Sequence, residues 1–324
     1  MLSACAAPPI ISANGAVATA RAPVATRTIN SSSSTVVVSD ASQNDIVVFC
    51  ARHTACNDCK TLGSVPNVSR SVCHECKTIG SGLSMPQGVA TAGSGGDLAP
   101  SASTLDYVAD FAHQRVVVFT DACNTVRVLD DSGYFPSDVA VAFDGTVAVT
   151  NLCPAPSCSG AGNISFYAPG SSNVTRVATG LMSQYYYGDF DGHGNFYNDG
   201  LSGNSVQVGV VPYGSTSDMA TGISDIGVPG GIQVARNGTI NIDDPGCLCI
   251  QIYRGSRRVG TVSLSGVVKP VTFALDKSDT HLWVTDVSSK MVDEFPYPAG
   301  GEILDQLSGF SEPIGVGVVP SDKP

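Results

Sequence analysis

The sequence predicts an all-β fold, a six-bladed β-propeller closed by pairing of the C-terminal strand with the first blade. Three observations predict it. A short apolar phrase ending in Asp or Asn recurs six times. Two further strand-like runs accompany each copy, one after a polar turn and one led by Pro or Gly. The composition also favours many short strands over helices, since 35 Gly and 19 Pro punctuate runs rich in β-branched residues.

The elements follow in order. The Asp- or Asn-ended phrases are VVVSD (36–40), DYVAD (106–110), VAVTN (147–151), NFYND (195–199), INIDD (240–244) and LWVTD (282–286). Their partners beyond the turn are DIVVF (45–49), RVVVF (115–119), NISFY (163–167), VQVGVV (206–211), CIQIY (249–253) and MVDEF (291–295). The third set is PQGVATA (86–92), PSDVAVA (136–142), YYYGDF (185–190), PGGIQVA (229–235), PVTFAL (270–275) and PIGVGVV (313–319). One four-stranded sheet cannot bury both faces alone, whereas sheets stacked around an axis can, leaving only short edges. The chain enters this cycle at a second-type strand and ends on a first-type strand. PIGVGVV is therefore expected as the innermost strand of the blade that holds VVVSD. The domain organisation that follows is a tether over 1–34 and one propeller over 35–324, with a cysteine-rich insert at about 50–80 in blade one.

The pattern resembles NHL-repeat β-propellers, whose units read roughly P-x-G-V-A-x-D-x-x-G-x-[Leu/Ile]-Y-V-A-D, then N-x-[Ile/Val]-x-V-[Phe/Tyr]. The resemblance runs from about Thr35 to Pro320. YVADFAHQRVVVF (107–119) and PIGVGVV match best, and the unit containing YYYGDF matches least. It looks most like secreted or lipid-anchored bacterial members of unknown function, so the resemblance implies a fold far more than an activity.

Charge excludes one class of partner. Charged residues make up 14% of the chain and the net charge is −11. The densest basic cluster, Arg254, Arg257 and Arg258 in YRGSRR, reads as a solvated hairpin tip, and a surface that tracks nucleic-acid phosphates needs far more positive charge. No apolar run approaches the roughly 18 residues of a membrane-spanning helix. LSAC (2–5) resembles a bacterial lipobox, which makes Cys5 the expected lipidation site and the Ser/Thr/Ala-rich stretch through Ser34 a flexible tether. A signal peptide precedes a lipobox, so this reading expects the true start upstream. The alternative is a cytosolic tail with a chance cysteine.

Eleven cysteines occur. With Cys5 lipidated, ten remain as disulfide candidates in an exported protein: Cys50, Cys56, Cys59, Cys73, Cys76, Cys123, Cys153, Cys158, Cys247 and Cys249. CNDCKTLGS (56–64) recurs as CHECKTIGS (73–81). The favoured reading of this duplication is an oxidised hairpin in the outer part of blade one. The alternatives are tetrahedral zinc on Cys56, Cys59, Cys73 and Cys76 and a C-x-x-C redox pair, the latter without the βαβ context that activates such motifs. Cys153 and Cys158 flank a short loop that they are placed to close. Cys247 and Cys249, read as strand residues two apart, point to one face and are awkward partners for each other.

Candidate binding residues lie where inner strands approach the axis. Gly88, Asp138, Tyr185, Gly231, Thr272 and Gly315 are expected to ring one mouth of the channel, with Gln184, Tyr186 and Gln233 nearby. Half the ring is Gly, which suits close backbone approach. Asp138, Gln184, Tyr185, Tyr186, Gln233 and Thr272 are the candidate ligand-binding set, with Asp138 and Tyr185 as its polar pair. The recurring Asp40, Asp110, Asn151, Asp199, Asp243 and Asp286 read as turn-capping acceptors rather than a catalytic ring. DFDGHGN (189–195) reads as a plain turn, with calcium on Asp189, Asp191 and Asn195 as the weaker alternative.

The expectation is an extracytoplasmic, lipid-anchored, monomeric binding module for a protein, glycan or envelope component, with no cofactor and no nucleic acid. Its membrane contact is the anchor alone. The alternative is a metal-assisted hydrolase or lyase of the propeller lactonase or lyase type, with a divalent ion on the axis. No catalytic set aligns, so no catalytic residue is named.

Overall fold

The structure is a computed structural model that describes residues 35–49, 72–76, 82–93, 104–120 and 124–319. It forms six four-stranded antiparallel sheets. Blade one contains β1 (Thr35–Asp40), β2 (Asp45–Phe49) and β3 (Val72–Cys76). Blade two is β4 (Pro86–Gly93), β5 (Thr104–Asp110), β6 (Arg115–Thr120) and β7 (Thr125–Asp130). Blade three is β8 (Tyr134–Val141), β9 (Val147–Pro154), β10 (Asn163–Tyr167) and β11 (Arg176–Ala178). Blade four is β12 (Gln184–Phe190), β13 (Phe196–Ser202), β14 (Ser205–Val211) and β15 (Met219–Ala220). Blade five is β16 (Ile232–Val234), β17 (Ile240–Asp244), β18 (Cys249–Arg254) and β19 (Arg257–Ser263). Blade six is β20 (Pro270–Leu275), β21 (His281–Asp286), β22 (Met291–Pro296) and β23 (Asp305–Leu307).

The last strand, β24 (Pro313–Val319), joins the first blade, whose order is β24-β1-β2-β3. Val37 pairs with Gly317 and Val38 with Val316, so the two ends of the described chain close the ring. The second copy of the duplicated cysteine phrase supplies β3, the outer strand of this blade, with Ile46 opposite Cys76.

Blade interfaces hold the core, which is why the inner strands are apolar on both faces. Val36 and Val38 of β1 pack with Trp283, Phe49 and Phe310 between blades six and one. Val37, between them in sequence, faces blade two with Val89, Val108 and Phe119. Equivalent clusters fill the other four interfaces. Trp283, Tyr167, Tyr185 and Tyr253 are among the largest fully buried side chains. Residues 254–258, RGSRR, form the exposed tip of the β18–β19 hairpin, with Arg254 paired to Arg257, while the preceding Tyr253 is buried. Among the described residues no helix is long and apolar enough to cross a membrane.

Candidate functional site

The inner strands surround an axial cavity of about 180 Å³, lined by Gly88, Asp138, Gly188, Asp189, Gly231, Gln233, Thr272, Gly317 and aliphatic neighbours. Asp138, Gln233 and Thr272 thus reach the axis as the sequence predicts. Gln184, Tyr185 and Tyr186 do not line it. The reason is register. Tyr185 lies opposite Gly200, as Pro136 lies opposite Asn151 and Pro270 opposite Asp286. Tyr187, not Tyr185, is therefore the third residue of its inner strand, and Gly188 and Asp189 supply the channel wall.

The three displaced residues have other tasks. Tyr185 is fully buried between blades three and four. Tyr186 and Tyr187 pack with Phe135, Leu152 and Cys153, and Val271 of blade six packs on the same cluster. That cluster joins side chains of blades three, four and six. Gln184 Oε1 accepts from the Tyr186 hydroxyl at 3.4 Å.

The polar channel residues staple neighbouring blades. Asp138 Oδ2 accepts from Gly188 N at 3.2 Å and Asp189 Oδ2 from Val234 N at 2.9 Å. Gln233 Oε1 accepts from Leu275 N at 2.7 Å, and Thr272 Oγ1 donates to Ile314 O at 2.6 Å. Thr91, which sequence reasoning missed, donates to Val318 O at 2.8 Å. The glycines allow this approach: a Cβ on Gly88 would overlap Asp138 Oδ1 and fall 2.7 Å from Asp138 Cα.

The carboxylates here are costly to ionise. Burial pushes Asp138 up to about 8 and Asp189 up to about 7, although backbone N–H groups pull each the other way. Asp199 and Asp243 are held well above the usual carboxylate range, first by burial and then by neighbouring acids.

The recurring acid proves to be a turn anchor in blades one, two and six, with corrections in the other three. In blade three Asn151 caps no turn: its Nδ2 donates to Asn163 Oδ1 and Ser165 Oγ, and its Oδ1 has no partner among the described residues. Asp40 accepts from Gln43 N, Ser311 N and Glu312 N, and Asp286 from Val268 N, Lys269 N, Ser288 N and Ser289 N. In blade five the anchor is Asp244, which accepts from Gly227 N, Val228 N and Gly246 N, rather than Asp243. In blade four the position falls to Gly200 rather than Asp199. Asp199 and Asp243 instead occupy the position of Ser39, Thr150 and Thr285. DFDGHGN is a turn in which Asp191 accepts from His193 N and Asn195 N at 2.8 and 2.9 Å. His113 and His281 each sit against an aspartate of their own turn, Asp110 and Asp276.

Two disulfides are present among the described residues, Cys153–Cys158 and Cys247–Cys249. Both bridge into the connection from a blade's second strand to its third, Cys153 from within β9 and Cys249 from the start of β18, on one face of the propeller. The first closes locally as expected. The second corrects the sequence reading. Leu248 lies outside the strand at φ 54°, and this left-handed turn brings the flanking Cα atoms to 5.3 Å. Cys5, Cys50, Cys56, Cys59 and Cys123, and the side chains of Cys73 and Cys76, lie outside the described residues, as does the zinc or disulfide question they pose.

No protein family and no curated protein matches the chain. Among solved structures it is similar to a chain from a nidogen/laminin complex, at 13% identity and a TM-score of 0.64, covering 90% of this chain and 100% of that one. It is also similar to a protein of unknown function from Bacteroides caccae, at 14% identity and a TM-score of 0.59, covering 89% and 99%. At these identities the likeness establishes the six-bladed propeller fold and nothing finer.

Proposed function

We propose that this protein is an extracytoplasmic binding module whose rigid propeller face engages a protein, glycan or envelope component. The full-length likeness to a chain from a protein–protein complex carries the reading. The face bearing the anchored turns is the docking candidate. Asp40, Asp110, Asp244 and Asp286 hold its loops by backbone N–H groups, and both described disulfides cross-link loops there. Loops ordered in advance lose little entropy on binding. The disulfides support an oxidising compartment, and lipidation at Cys5 fits it. The repeated Asp and the Pro- or Gly-led inner strands support kinship with NHL-type propellers.

Cross-linking capture from cell-envelope extract tests this. V268E and K290E change exposed residues of the anchored face, whereas F143E changes the opposite face. Capture should fall at least about tenfold, roughly 1.4 kcal/mol, for the first two and persist for F143E. Capture indifferent to both faces would overturn the assignment.

A second reading rests on Asp138 and Asp189, whose carboxyls titrate near neutrality in the axial cavity, as an acid–base pair requires. In that reading the protein is a hydrolase or lyase of a small substrate. Lactone hydrolysis with added divalent cations, lost in D138N, would establish it; no turnover in the wild type would leave the binding module.

A further inference from the structure

The turn between β17 and β18 carries a cysteine pair that no property of the fold requires. Asp244 holds the turn through Gly227, Val228 and Gly246. The left-handed residue before the third strand also recurs without any cross-link, as Asn44 in blade one, Gln114 in blade two and Lys290 in blade six. Leu248 takes that conformation because the turn takes it. Opening the Cys247–Cys249 bond therefore leaves both sulfurs side by side on a backbone that stays in place. Closing so short a loop also removes little entropy from the unfolded chain.

The two sulfurs are unequal. Cys247 is exposed, whereas Cys249 is buried at 7%. Cys247 Sγ lies 3.4 Å from the Asp244 carbonyl oxygen, an acceptor ready for a thiol. The other disulfide is shielded: Cys153 is 1% exposed and, with half-buried Cys158, packs in the cluster of Phe135, Leu152, Tyr186 and Tyr187.

We propose that Cys247–Cys249 is a reversible thiol–disulfide exchange site, attacked at Cys247 by an external thiolate. The incoming sulfur bonds to Cys247 Sγ, the Cys247–Cys249 bond breaks, and Cys249 leaves with the electron pair and takes up a proton. A second external thiol resolves the mixed disulfide, giving an external disulfide and the reduced pair. Two external thiols are oxidised and one protein disulfide is reduced; the reverse reduces an external disulfide and re-forms the Cys247–Cys249 bond. The site stands independently of the binding role proposed above.

The full-length protein equilibrated in graded glutathione buffers, acid-quenched, alkylated and mapped by peptide mass tests the proposal. Cys247 and Cys249 should become alkylatable in buffers that leave Cys153–Cys158 bonded, with the thermal midpoint shifted by less than about 3 °C. With oxidised glutathione, C249S should accumulate a single adduct on Cys247, and C247S should adduct Cys249 on the order of tenfold more slowly. A parallel arm with a C-x-x-C dithiol protein distinguishes the source of the thiol by which reagent opens the pair faster at equal thiol concentration. Cys153–Cys158 opening first, equal adduct rates in the two variants, or resistance to both reagents would overturn the site.

Discussion

Asp243 occupies a position that carries a hydroxyl in three other blades. Ser39, Thr150 and Thr285 donate there to Gln87 O, Tyr186 O and Ile314 O of the following blade, at 2.5, 2.8 and 3.1 Å. Asp243 is fully buried, and neither of its carboxylate oxygens has a hydrogen-bond partner among the described residues. Burial raises its pKa, and Asp244 adds repulsion. The folded protein therefore keeps a proton that the unfolded chain releases above about pH 4. The unfolded state binds fewer protons there, so stability falls as pH rises from about 4 toward the folded pKa. Asp138 and Asp189 act in the same direction up to about 8 and 7. D243T restores a hydroxyl and is expected to raise the thermal midpoint at pH 8, by roughly 2–4 °C for each kcal/mol regained. The gain should shrink toward pH 4, and an equal gain at pH 5 and pH 8 would contradict this account. G88A tests the axial close approach: overlap with Asp138 should cost about 2–4 kcal/mol in denaturant unfolding.

At the scale of elements, one acid orders two connections. Asp286 accepts from Val268 and Lys269, which lead into β20, and from Ser288 and Ser289 in the turn after β21. D286A leaves four backbone donors without this acceptor and should cost about 2–4 kcal/mol. D286N should cost less, because the amide oxygen can still accept from these donors. Hydrogen exchange should quicken selectively at the four named amides in D286A. Uniform acceleration across all blades would show that the anchor acts globally instead.

For the whole molecule, closure is the controlling event. β24 pairs with β1, and Val316 and Val318 complete the apolar interface with Trp283 and Phe310. Deletion of residues 312–324 removes that strand, exposes β1 and opens the interface between blades six and one. The truncated protein is expected to lose cooperative thermal unfolding in calorimetry. A transition matching the full-length protein would mean that the ring is held elsewhere. The other interfaces persist by nearest-neighbour stacking, so the truncated chain should retain β circular dichroism while losing its sharp melt.

Sequence alone determined the number of blades, the three inner strands of each and the pairing of PIGVGVV with VVVSD, because strand periodicity and turn chemistry are local and repeat; the short outer strands it left unassigned. It also placed Asp138, Gln233 and Thr272 at the axis, where Pro-led strands kept the count. Tertiary structure decided what locality could not. The inner strand of blade four carries no leading Pro, and Gly200 stands where four blades carry Asp and one Asn, so only cross-strand pairing showed that Gly188 and Asp189, not Tyr185, line the channel. The Cys247–Cys249 bond likewise depends on the left-handed backbone at Leu248, a conformation set by the turn rather than by the residue's own preference. The polar channel residues looked like ligand groups in sequence. Their hydrogen bonds run to strands 42 to 50 residues away in the chain, and only the closed ring brings donor and acceptor together.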